Sequence, residues 1–305
     1  MIITNRPYRD DRDLARMRAF LAEHWRVYGP TGGYFHVGDL LWRQRAMPGD
    51  VVPEERDRLW EGADGRLLGF AWFYPKRCAV ELQVHRDVRG EGAIEREMLA
   101  WAEERRRALD HPPPLSVIVF GDDDPLRPFV TAEGFAPSDE RPMLCLARDL
   151  ATPIPHAEPA AGFVVRQVAS EAEDAERVAV HRDVWHPSWF TLAAYRYLRA
   201  LDGYAPDLDL VAVAPDGRYA AYALAWPDDD GGTAEFEPVG ARAEYRRRGL
   251  TQAVLHEGLR RMRARGLHTA IVYCNTDPAC ALYHSAGFRE VGRWVTYQRI
   301  EGGIR

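Results

Sequence analysis

Lysine is almost missing from this chain. Lys76 is the only one, so 39 of the 40 basic residues are arginines. Alongside the abundant Ala, Gly and Pro, this reads as coding bias of a GC-rich genome rather than as chemistry. A basic excess is also missing: the net charge is −6, which argues against general nucleic-acid binding and makes the arginines act locally. No apolar run reaches 18 residues, so no membrane span is expected. The opening MIITNRPYRDDRD lacks the apolar core of a secretory signal, and the expected location is cytoplasmic. Cysteine is scarce and scattered (Cys78, Cys145, Cys274, Cys280) with no CxxC pair. That argues against a metal site or a disulfide framework and predicts reduced, mostly buried thiols.

What is present is a plan written twice. A length of 305 residues suits two domains of about 150 each. The spacing predicts a linker at 150–162, around ATPIPHAEPAAG, which holds three prolines and little periodicity. On either side comes a short strand and an acidic helix, then a strand hairpin (RLLGFAWFYP and YAAYALAWP). A strand, a glycine turn and a long helix follow, and each half closes on an apolar strand, a short helix and Gly-Phe. The turns at 89 and 246 are 157 residues apart, and Gly134-Phe135 and Gly287-Phe288 are 153 apart. Two features keeping nearly one offset indicate duplication. Each half reads β-α-α-β-β-β-α-β-α-β, a mixed α/β class in two tandem domains, 1–149 and 163–305.

The second half carries the clearest chemistry. A strand bearing Glu235 and Glu237 runs into Arg246-Arg247-Arg248-Gly249 and then into a helix. The first N–H groups of a helix lack internal partners, and its dipole favours an anion, so this turn suits a diphosphate. The helix buries Leu250, Val254, Leu255, Leu259 and Met262 on one stripe and exposes its arginines. A proline at 238 predicts an unpaired or bulged position in the strand before the turn.

This half resembles the GNAT superfamily of N-acetyltransferases. Their cofactor signature, Arg/Gln-x-x-Gly-x-Gly/Ala, is similar to Arg246-Arg247-Arg248-Gly249-Leu250-Thr251, with Thr251 a mild departure. Their closing signature corresponds to Asn275 followed by Ala279-Cys280-Ala281-Leu282-Tyr283 and Gly287-Phe288. The resemblance covers about 163–300 well and 1–149 in degraded form. It implies, for each domain, a mixed, mostly antiparallel sheet flanked by helices, in the tandem arrangement of mycothiol synthase, where the C-terminal domain is catalytic.

The resemblance further implies acetyl-CoA as co-substrate, with its diphosphate on the N–H groups from Arg247 to Thr251 and its pantetheine arm between splayed fourth and fifth strands. Backbone at Val239, Gly240 and Ala241 would face the thioester. Asn275 would bond the arm, or else form a turn before Asp277-Pro278. Glu235, eleven residues before Arg246, is favoured as general base over Glu237, which shares its strand parity. Either could instead be an exposed carboxylate paired with an arginine. Tyr283 holds the position of the acid that protonates the leaving thiolate, or is a core tyrosine. The acceptor would be a primary amine of a small molecule or peptide. Trp185, Trp189, Phe190 and Tyr195 could wall its pocket, or form inter-helix core. No metal, nucleic acid or membrane is implied, and the chain would be a monomer or homodimer.

The first half lacks this equipment. Cys78 stands where the base would be and Val130 where the acid would be, while Glu91 and Ile94 spoil the turn. It reads as non-catalytic, with a turn open enough to hold CoA loosely. A reading from another class is a catalytically silent acyl-CoA sensor. Glu235 and Tyr283 argue against it, because a pure binder needs neither.

Overall fold

A computed structural model describes residues 3–46, 52–121, 124–156 and 158–300. The elements of the N-terminal half are β1 (Ile3–Pro7), α1 (Asp11–Tyr28), α2 (Val37–Ala46), α3 (Pro53–Arg56), β2 (Asp57–Gly62), β3 (Leu67–Tyr74), β4 (Ala79–Val84), α4 (Ala93–Arg107), β5 (Ser116–Phe120), α5 (Leu126–Ala132), β6 (Phe135–Pro137) and β7 (Met143–Asp149). The C-terminal half follows with β8 (Val164–Gln167), α6 (Asp174–Val184), α7 (Leu192–Ala200), β9 (Asp209–Val213), β10 (Tyr219–Asp228), β11 (Thr233–Ala241), α8 (Leu250–Ala264), β12 (Thr269–Cys274), α9 (Asp277–Ser285) and β13 (Arg289–Arg299). Leaving aside short 3₁₀ turns, the second half repeats the expected order element for element. The mixed α/β class read from the sequence is the class observed.

The compact units cross the sequence halves. The first comprises Met1–Tyr34, Val51–Cys145 and Val291–Arg305, and the second Phe35–Asp50 and Leu146–Glu290. Helix α2 therefore belongs to the second unit. Its Val37, Leu40, Leu41 and Trp42 are buried, and it packs on β10, β11 and α7. Strand β13 completes the first unit: Trp294–Gln298 pair antiparallel with β5, and Tyr297 joins that unit's core.

In the first unit the strand order is β1-β2-β3-β4-β5-β13; in the second, β8-β9-β10-β11-β12, with the end of β7 beyond β12. Among the described pairings, each unit's strands run antiparallel except for one parallel pair. That pair is short in each: β4 meets β5 at Ala79–Glu81, and β11 meets β12 at Thr233–Glu235. The proline effect expected at 238 is present. On β10 the register steps from Ala223↔Val239 to Ala225↔Phe236, so Glu237 and Pro238 bulge opposite Leu224. The indole of Trp226 donates to the Glu237 carbonyl at 2.7 Å, which satisfies the displaced backbone.

Two cysteine readings diverge. Cys78 and Cys145 are free and buried, as expected. Cys274 and Cys280 are bonded to each other, which corrects the expectation of four reduced thiols. Strand β12 ends at Cys274 and α9 turns back at once, bringing the two Cα atoms to 5.8 Å, within disulfide range.

Candidate active site

The turn expected to hold an anion is built as the sequence requires. Helix α8 starts at Leu250, with Gly249 as its N-cap at φ 71°. Open space surrounds the Gly249 Cα, so glycine is needed there for the left-handed backbone alone. Arg247 is also left-handed, at φ 61°, an uncommon conformation for a side-chain-bearing residue. The N–H groups of the first turn of α8 have no partner within the helix. They open onto a cleft of about 760 Å³. Val239, Gly240, Ala241, Arg246, Arg247, Gly249, Leu250, Thr251, Trp185 and Tyr283 all line it, whereas Arg248 and Asn275 do not. The Arg248 guanidinium lies over the rings of Phe163 and Tyr245, at 5.9 and 5.7 Å.

Glu235 lies deeper, fully buried where the parallel pairing of β11 and β12 ends. Helix α2 closes over it. The Asp39 N–H donates to Glu235 Oε2 at 2.8 Å, and His36 Nδ1 sits 3.3 Å from the same oxygen. Gly38 makes this approach possible, because a Cβ there would stand 2.9 Å from Glu235 Oε2 and 2.8 Å from Trp226 Cβ. The other oxygen, Oε1, is buried without a hydrogen-bond partner among the described residues. His36 Nδ1 accepts the Gly38 N–H at 3.0 Å, so its proton is on Nε2, which donates to Thr233 Oγ1 at 2.9 Å. Burial holds that imidazole neutral, its pKa lowered to about 4. Burial pushes the Glu235 carboxyl up to about 8, only partly offset by Arg43 and the Asp39 N–H. Half-buried Glu237 is raised too, by burial and then by Glu235 and Asp39. Tyr283 is raised by burial and by Glu237, so its phenol keeps its proton at neutral pH.

The aromatic run after the linker divides. Trp185 lines the cleft and donates its indole N–H to Tyr222 Oη at 2.7 Å. Trp189 is exposed. Phe190 packs against Trp42 and His181, with ring centroids 5.1 and 4.6 Å apart. Tyr195 is fully buried, its hydroxyl donating to Asp209 at 2.7 Å. The structure thus gives Trp185 alone of the four to the cleft.

A bonded network therefore sits behind a helix N-terminus that can hold an anion, on a sheet split between its fourth and fifth strands. Residues 173–288 match the family described as Acetyltransferase (GNAT) family. The C-terminal half of the chain is thus similar to GNAT acetyltransferases. A mycothiol acetyltransferase of Clavibacter michiganensis subsp. michiganensis is 29% identical over 298 residues, covering 88% of this chain and 90% of the relative. A second, from Clavibacter sepedonicus, is 28% identical over 278 residues, covering 84% and 89%. Among solved structures, a tandem GNAT protein from the clavulanic acid biosynthesis pathway superposes over the full length of both chains with a TM-score of 0.65 at 19% identity. A GCN5-related N-acetyltransferase from Sphaerobacter thermophilus covers 97% of this chain and 95% of its own at TM-score 0.62 and 19% identity. The structural likenesses give the fold, a tandem GNAT. The family match and the curated relatives give the acyltransferase class.

GNAT acetyltransferases use acyl-CoA, and the cleft of the second unit fits one. It joins a glycine turn at a helix N-terminus to Val239–Ala241 of β11, which pair with β10 but lie beyond the stretch of β11 that pairs with β12, so an extended arm can lie along that edge. Two residues that contact Glu235 escape sequence reading. His36 and Asp39 lie almost 200 positions from Glu235, and no spacing rule joins them to it.

Proposed function

We propose that this enzyme moves an acetyl group from acetyl-CoA to a primary amine by direct attack, with Glu235 as general base and Tyr283 as general acid. The observation that carries the reading is Glu235: a wholly buried carboxyl, its pKa lifted to about 8, with one oxygen unpartnered among the described residues, on the strand that leads into the cofactor cleft. A base works best with a pKa near the working pH. The neutral amine attacks the thioester carbon, a C–N bond forms, and the C–S bond breaks. One proton passes from nitrogen to Glu235 and another from Tyr283 to the departing sulfur. N–H groups at Val239 to Ala241 on the unpaired side of β11 would stabilise the oxyanion. Burial and the neighbouring Glu235 raise the Glu237 carboxyl, and Glu237 in turn helps raise the Tyr283 phenol.

Relatives of nearly equal length are named mycothiol acetyltransferase, so the acceptor of that reaction heads the amine panel for this chain. Tyr283→Phe is the first test of the acid. Turnover should fall about tenfold or more, while the acetyl-CoA dissociation constant changes by less than about twofold. Initial rates of free-thiol release paired with calorimetry check both numbers. Loss of cofactor affinity at unchanged turnover would make Tyr283 a packing residue on Phe288, whose ring lies 6.0 Å away.

A further inference from the structure

The first unit keeps a cavity at its own glycine turn, but the turn is sealed from within. Glu95 is fully buried at the third position of α4 and accepts the Gly90 N–H at 2.6 Å and the Gly92 N–H at 3.1 Å. A carboxylate of the chain itself holds the donors a diphosphate would need, and Glu91 adds a second negative charge to the same turn. In the second unit the corresponding helix position is the neutral Gln252.

The remaining cavity, about 620 Å³, is nonetheless cationic and aromatic. Among the described residues, Arg86, Arg89 and Arg293 line it against one carboxylate, Asp124, together with the rings of Tyr28, Tyr34 and Phe120. Arg89 is the buried member, its side chain 5% exposed. It pairs with Asp124, donates from Nη2 to the Gly33 carbonyl at 3.0 Å, and lies 4.5 Å over the Tyr34 ring. Its Nη1 is buried with no hydrogen-bond partner among the described residues. Arg86 is half-buried and bridges to Glu23 at 3.1 Å, with Asp87 at 3.7 Å. A buried guanidinium nitrogen left without an acceptor is costly unless something supplies one.

We propose that this cavity binds a small organic carboxylate, with Arg89 Nη1 as its buried donor, and does not bind coenzyme A. One free guanidinium nitrogen suits a monoanion, and three rings suit an apolar body attached to it. The sealed turn leaves no nest for a diphosphate. The site is independent of the acetyl-transfer chemistry in the second unit.

The test is calorimetric titration of the full-length protein with acetate, benzoate and succinate, with inorganic phosphate and CoA as comparison probes. The expected result is millimolar or tighter binding of at least one carboxylate, unchanged by saturating acetyl-CoA. Arg89→Met should weaken it about tenfold or more. Because Arg89→Met strands Asp124, Tyr28→Glu is the second variant. Tyr28 is exposed, so the fold tolerates the change, and the new charge at the rim should also cost about tenfold. No carboxylate binding, binding that both variants leave intact, or phosphate bound in preference would each overturn the proposal. So would a second CoA equivalent that Tyr28→Glu removes.

Discussion

Glu235→Gln should lower turnover by about 10²–10⁴, the contribution expected of a well-placed general base. The sign of the pH dependence follows from the raised pKa. Only the ionised carboxylate can accept a proton, so turnover of the wild type should rise with pH, turn near about 8, and level above it. A glutamine has no such ionisation. The residual rate of the variant should track deprotonation of the free amine, and the limb should move to higher pH. The fold should survive, because the side-chain carbonyl of the substituted amide can still accept the Asp39 N–H. A pH series of initial rates, with unfolding midpoints as control, reads all three expectations. A loss under threefold in this variant with a severe loss in Glu237→Gln would transfer the role to Glu237.

Asp209→Ala should be the most destabilising single change in the second unit, at about 3–5 kcal/mol. Asp209 is fully buried at the start of β9 and accepts from Arg177 Nε at 2.8 Å, Tyr195 Oη at 2.7 Å and Tyr204 Oη at 3.0 Å. Arg177 is equally buried, and its Nη1 and Nη2 have no hydrogen-bond partner among the described residues. Removing the carboxylate leaves a buried cation without its counter-charge, the costly half of breaking a buried pair. The double change Arg177→Met/Asp209→Leu should recover most of the loss, since it removes both charges and keeps bulk. Function should follow stability. Arg177 stacks 4.1 Å over Tyr222, whose hydroxyl accepts the Trp185 indole N–H and donates to neutral His181. Trp185 is a wall of the cleft. Urea unfolding of the two variants measures the effect, and equal stabilities of the single and double variants would refute it.

Local chemistry was legible in the sequence wherever neighbours along the chain decide it. The glycine turn into α8, the bulge at Pro238 and the left-handed cap at Gly287 (φ 85°) all follow from residues within a few positions. So does the element order, because strand and helix periods are local. Long-range exchange was not legible. Helix α2 reads as an ordinary amphipathic segment of the first half, and only the uncovered face of β10 and β11 explains why it packs in the second unit. The aromatic run from Trp185 to Tyr195 could not be divided by composition, since burial is decided by partners such as Trp42 and Asp209 far away in sequence. The role of Glu95 lies within reach of the sequence. A glutamate at the third helical position can reach back to the N-cap N–H, the half of a capping box that asks nothing of the N-cap side chain, although the neighbouring charge of Glu91 is the more conspicuous one.

The most direct measurement is a crystal structure of the full chain with CoA. The account predicts one CoA per chain, its diphosphate within hydrogen-bond distance of N–H groups between Arg247 and Thr251. Its sulfur should reach the Tyr283 hydroxyl, with the Glu235 carboxyl facing the space beside that sulfur where an amine would attack. A diphosphate bound elsewhere, or a sulfur from which both Tyr283 and Glu235 are turned away, would contradict it.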